Sequence, residues 1–165
     1  MPSIRPHEPT LPFSAWPLQY SDPDVGFAWY AGRGVIVTQV SGNHGTAHAS
    51  TVLSDWIDQL LATHAADIAQ FGGMLGIHDW RRVLKYDSDA RKIWVDRINQ
   101  RPKGYLRKAV VIIADNALLK MAIAGANLLV AIGARGQGQI EIATNAYEVL
   151  RKYQVALPFR SNPAG

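Results

Sequence analysis

None of the 165 residues is cysteine. Disulfides, thiolate metal sites and cysteine nucleophiles are therefore excluded, and a reducing cytoplasm is the expected compartment. No H-E-x-x-H or comparable His/Asp/Glu spacing occurs, so neither a metal nor a cofactor is expected. The N-terminus has no basic segment leading into an apolar run, so no secretory signal is read there. The longest greasy stretch, 117–132, is interrupted by Lys120 and Asn127 and falls short of the ~20 residues of a membrane span. Charge of one sign is also scarce. Lys and Arg total 17 against 13 Asp and Glu, with no concentrated basic stripe, which argues against a nucleic-acid partner.

What remains is the composition of an ordinary soluble globular domain, 48% hydrophobic and 18% charged, long enough for a single buried core. Prolines are concentrated at one end: Pro2, Pro6, Pro9, Pro12, Pro17 and Pro23. Each fixes φ and removes a backbone donor, so residues 1–24 are expected to form an extended arm rather than a helix or central strand. Leu11, Phe13, Trp16, Leu18 and Tyr20 make that arm apolar enough to need cover, either on its own domain or on a second copy. Residues 25–157 form the domain, and 158–165 a loose tail.

Within the domain, strands are expected near 27–31, 35–40, 74–78, 106–114 and 139–143. Thr46 is a plausible N-cap for a helix carrying Leu53, Trp56, Ile57, Leu60 and Leu61 at three- and four-residue spacing. Residues 65–71 read equally as its continuation or as a separate turn. A second helix spans 89–100, with Ala90, Ile93, Trp94 and Ile98 inward, and Pro102 follows its end. Asp115-Asn116 caps a third helix through Ile132, and Thr144 or Asn145 caps a last one to about Tyr153. Strands alternating with helices predict an α/β domain with a mixed, mostly parallel sheet of about five strands and about four helices.

Chemistry-bearing residues gather in few places. An apolar run stops at His78-Asp79-Trp80, a polar stretch reaches Asp87-Ser88, and an amphipathic pattern starts directly afterwards. Ser88 is thus a helix-mouth serine, explicable as a cap or as a phosphoacceptor at the positive end of a helix dipole. Arg81, Arg82, Lys85, Arg91 and Lys92 lie near enough in sequence to receive a phosphate, while Asp87 and Asp89 would repel it. A rim at the carboxyl ends of the strands would collect His44, His78, Asp79, Trp80, Asp115 and Asn116, the place where open α/β sheets bind ligands. These residue types equally serve as caps and packing groups. The glycine-rich run 133–138 follows a helix and precedes a strand, the reverse of a dinucleotide fingerprint, and reads as a helix stop. Leu118, Met121, Leu128 and Ile132 belong to an apolar arc too wide for a surface helix, so a partner interface, and with it a homodimer or other homo-oligomer, is expected there unless the arm covers it.

The order of elements over residues 27–153, with Asp87-Ser88 at a helix start after the strand 74–78, resembles a STAS domain. This is the fold of bacterial anti-sigma-factor antagonists and of transporter regulatory tails. The resemblance implies a regulatory domain that binds a protein partner and is switched by phosphorylation at Ser88. The alternative is a small-molecule-binding domain or enzyme using the His/Asp rim.

Overall fold

The computed structural model describes residues 8–115 and 139–158. The β-branched run Val35–Val40 (β3) is buried at every position and forms the middle of a six-stranded sheet. On one side it pairs antiparallel with Gly26–Tyr30 (β2), which pairs antiparallel with an edge strand, Tyr20–Asp22 (β1). On the other side Met74–Asp79 (β5), Leu106–Ile112 (β7) and Gln139–Ala143 (β8) follow in parallel. The α/β class and the mostly parallel mixed sheet are as the alternation predicted. The sixth strand is β1, from the arm: with only three residues and one neighbour, it carries no alternation of its own to read.

Between β3 and β5 run a 17-residue helix, Ala47–Thr63 (α1), and a short one, Ala65–Gln70 (α2). Thr46 caps α1 as expected, its hydroxyl accepting from the Ala49 N–H at 3.1 Å. Residues 65–70 are a separate helix because His64, at φ −111° and ψ 23°, leaves the helical region. Ser88–Gln100 (α3) links β5 to β7, and Ala146–Lys152 (α4) follows β8 behind Asn145, whose side chain accepts from the Glu148 N–H. A second pairing, His44–Gly45 (β4) with Lys85–Tyr86 (β6), ties the loops after β3 and β5 together. The third helix expected at 116–132, with Leu118, Met121, Leu128 and Ile132, lies outside the described residues.

Each face of the sheet carries its own core. Under α1 and α3 lie Ile36, Leu53, Ile57, Met74, Trp94 and Ala109. The opposite face buries Trp29, Val37, Ile77, Val110 and Ile112 beneath α4 and the arm. The described part of the arm docks on its own chain. Phe13, in a 3-10 turn at Phe13–Ala15, is fully buried and stacks on Trp16 and Trp29 at centroid distances of 5.7 and 6.1 Å. Burying a phenylalanine contributes about 1.5–3 kcal/mol, which explains why so proline-rich a segment stays attached. Among the described residues, no helix is long and apolar enough to cross a membrane.

Candidate functional site

Successive side chains of a strand point to opposite faces, and this alternation separates the residues that end β5. His78 faces the α1/α3 layer and Asp79 the arm. The His/Asp rim is therefore not brought together as one acid–base pair.

Asp79 is 2% exposed and fully engaged. Its Oδ2 accepts from Gln39 Nε2 at 2.6 Å and Arg81 Nη2 at 2.7 Å, and its Oδ1 from Arg81 Nε at 2.9 Å and the Arg81 backbone N–H at 3.1 Å. Gln39 also holds Thr10, donating to its Oγ1 at 2.8 Å and accepting from its backbone N–H at 2.9 Å. Arg81 donates on to the Leu11 carbonyl at 3.1 Å and lies 5.9 Å from the Phe13 ring centroid. Asp79 is thus the hub of a latch that clamps the arm to the sheet. The Arg81 guanidinium holds its proton more tightly than usual, chiefly through its hydrogen bond to Asp79.

Trp80 is 7% exposed and belongs to the core, stacked on Tyr86 at 5.5 Å and tilted against Trp94 at 6.4 Å. Beyond it the β4–β6 ribbon brings His44 to Asp87, Nε2 to Oδ1 at 2.7 Å. Asp87 occupies the N-cap position of α3 but makes no side-chain cap bond, its carboxylate being directed to His44 instead. Gly45 permits the ribbon to close, since a Cβ there would lie 2.2 Å from Tyr86 Cδ2. Ser88 is the first residue of α3 and is exposed. Four residues before it in the chain, Leu84 is 56% exposed. Asp115 is exposed just beyond β7, and Asn116 lies outside the described residues.

His78 enters different surroundings. Its Nδ1 lies 2.8 Å from the hydroxyl of fully buried Thr38, on the neighbouring strand. The ring leans over Gly76, where a Cβ would come within 2.7 Å of Nε2. It lines a cavity of about 50 Å³ together with Met74, Trp80, Trp94, Arg101, Tyr105 and several aliphatic residues. Burial, and then the nearby Arg101 charge, lower the imidazole pKa from 6.5 to about 4, so the ring is neutral at pH 7.

Arg101 is the site residue that sequence reasoning missed, because beside Pro102 it reads as part of a helix stop. Its side chain is only 7% exposed. Nε donates to Asp58 Oδ1 at 2.7 Å, and Arg97 bridges the same carboxylate and Asp55, stapling α3 to α1. Nη2 is buried with no hydrogen-bond partner. Among the described residues, no three His, Asp or Glu side chains come together as a metal site.

Comparison with known proteins finds no family model that matches this chain and no curated protein significantly similar to it. The α/β fold class stands on the coordinates.

Proposed function

We propose that this chain is a regulatory, protein-binding domain of the bacterial anti-sigma-factor-antagonist type. It acts in the cytoplasm as a homodimer and is switched by phosphorylation of Ser88. The observation that carries the reading is the exposure of Ser88 at the first position of a 13-residue helix, directly after the ribbon that closes the β5 loop. A phosphate there adds nearly two negative charges where unpaired N–H groups and the helix dipole favour them. Exposed Leu84, four residues earlier in the chain, supplies an apolar contact for a protein partner, and modification of exposed Ser88 would change surface charge without disturbing the core. His44 holds Asp87, the nearer of the two flanking carboxylates to the β4–β6 ribbon, away from the cap position.

The rim-enzyme reading loses support from Asp79, whose oxygens already accept four hydrogen bonds from Gln39 and Arg81. The test is mass spectrometry of intact protein and its peptides, purified from source cells across growth phases. One phosphate on Ser88, absent from the Ser88→Ala chain, is the expected result. Ser88 unmodified in every phase, or phosphate placed only elsewhere, would sink the switch.

A further inference from the structure

The Arg101 cavity carries an inference that goes beyond the Ser88 reading and does not depend on it. Its walls are Trp80, Trp94, Ile98 and Tyr105 with the aliphatic side chains of the sheet, so almost all of its lining is apolar. Two polar groups interrupt that lining. One is the guanidinium of Arg101, whose Nη2 is buried without a partner although such a group costs free energy when left unsatisfied. The other is His78. Its Nδ1 lies 2.8 Å from the hydroxyl of buried Thr38, and either group can be the donor. Where the Thr38 hydroxyl donates, the neutral ring carries its proton on Nε2, which is then a second donor beside Arg101.

The electrostatics have a sign. The carboxylates paired with Arg101 and Arg97 face solvent, Asp55 and Asp58 being 48% and 39% exposed, while the Arg101 side chain is buried. Among the described residues Arg101 is the charge that acts on the His78 ring, so the positive field of the guanidinium extends to that side of the cavity. A buried guanidinium donor without a partner among the described residues, a positive field and apolar aromatic walls together define an occupant with acceptor oxygens, a negative charge and a small apolar body. The volume, about 50 Å³, holds roughly three or four water-sized groups, which limits the buried part to a carboxylate and the first atoms of its chain.

We infer that this cavity, between the sheet and the C-terminal half of α3, is a binding site for a small monocarboxylate, its oxygens held by Arg101 Nη2 and His78 Nε2 and its carbon chain lying against Trp94 and Tyr105.

The test titrates the full chain with butyrate and benzoate, and in parallel with butanamide and benzamide, which match them in shape but carry no charge. Calorimetry gives the affinity, and nitrogen-15 NMR follows the Arg101 Nε–H and His78 ring signals. The inference expects saturable binding, at least about tenfold tighter for each acid than for its amide, with both side-chain signals moving. Arg101→Gln should abolish that preference. If that variant does not fold, Ala109→Leu decides, since it fills the cavity from the sheet side without touching a charge. No saturable binding, equal affinity for acid and amide, or binding that survives cavity filling would each overturn the site.

Discussion

Asp79→Ala tests whether the carboxylate that ends β5 is a latch. The substitution removes the acceptor of four hydrogen bonds and leaves Gln39 and Arg81 holding only their contacts to Thr10 and Leu11. Breaking a buried ion pair from one side costs about 3–5 kcal/mol, because the remaining charge stays desolvated. Arg81 is 28% exposed and can turn toward water, which places the expected loss near the lower end, about 3 kcal/mol. For a chain of this length that is a fall in melting temperature of roughly 6–12 °C. Equilibrium urea unfolding at pH 7 measures it, with an unchanged m-value as the condition for interpreting it. The stability change alone does not identify the latch, so a local probe is needed. Hydrogen exchange at the Thr10 N–H, which donates to Gln39, should accelerate far more than exchange in the core of β3. Asp79→Asn keeps the shape and one acceptor oxygen and should fall between. A loss below about 1 kcal/mol, or a Thr10 amide as protected as before, would refute the latch.

Two further outcomes are expected. His78 takes up its proton near pH 6.5 when unfolded but only near 4 when folded, so acidification between those values favours the unfolded chain. The contribution is absent above pH 6.5 and reaches at most about 3 kcal/mol of lost stability near pH 4, less to the extent that the ring keeps accessible surface. His78→Gln should therefore show a shallower fall in unfolding free energy from pH 7 to 4.5 than the parent chain, and parallel curves would refute this. The apolar arc read in 117–132 predicts that Leu128→Glu converts a dimer to a monomer, because the carboxylate would be desolvated across an interface. Sedimentation of the parent chain as a monomer would end that expectation.

The architecture was legible where an element carries its own pattern. The limits 35–40 and 139–143 and the cap at Thr46 follow from β-branched runs and from a hydroxyl ahead of apolar periodicity, while at the last helix Thr144 and Asn145 were equal candidates and the structure uses Asn145. The three-residue strand β1 and the two-residue ribbon β4–β6 were not legible, because pairings so short are set by the partner strand. The site was half legible. His78, Asp79 and Trp80 were singled out by position along the strand, but the pleat sends Asp79 to one face and His78 and Trp80 to the other. Alternation in the sequence was enough to have foreseen that. Arg101 had a weaker signal, lying four residues after Arg97 on one helical face, and nothing local announces that Asp58 waits across the gap.

The aromatic cluster under the arm has a consequence for how the chain is made. Trp16 Nε1 donates to the carbonyl of Ala156 at 3.3 Å, 140 positions away, while Trp16 also packs on Trp29. A ribosome delivers Phe13, Trp16 and Trp29 early, yet β5, β7 and α4, which complete the pocket around them, emerge much later. Throughout that interval three large aromatic side chains have no settled home, and translation at about 5–20 residues per second makes the wait several seconds long. During it, the nascent chain presents the kind of greasy segment that chaperones recognise. The prolines that crowd the same stretch deny a neighbouring nascent chain the regular strand it would need to template an aggregate.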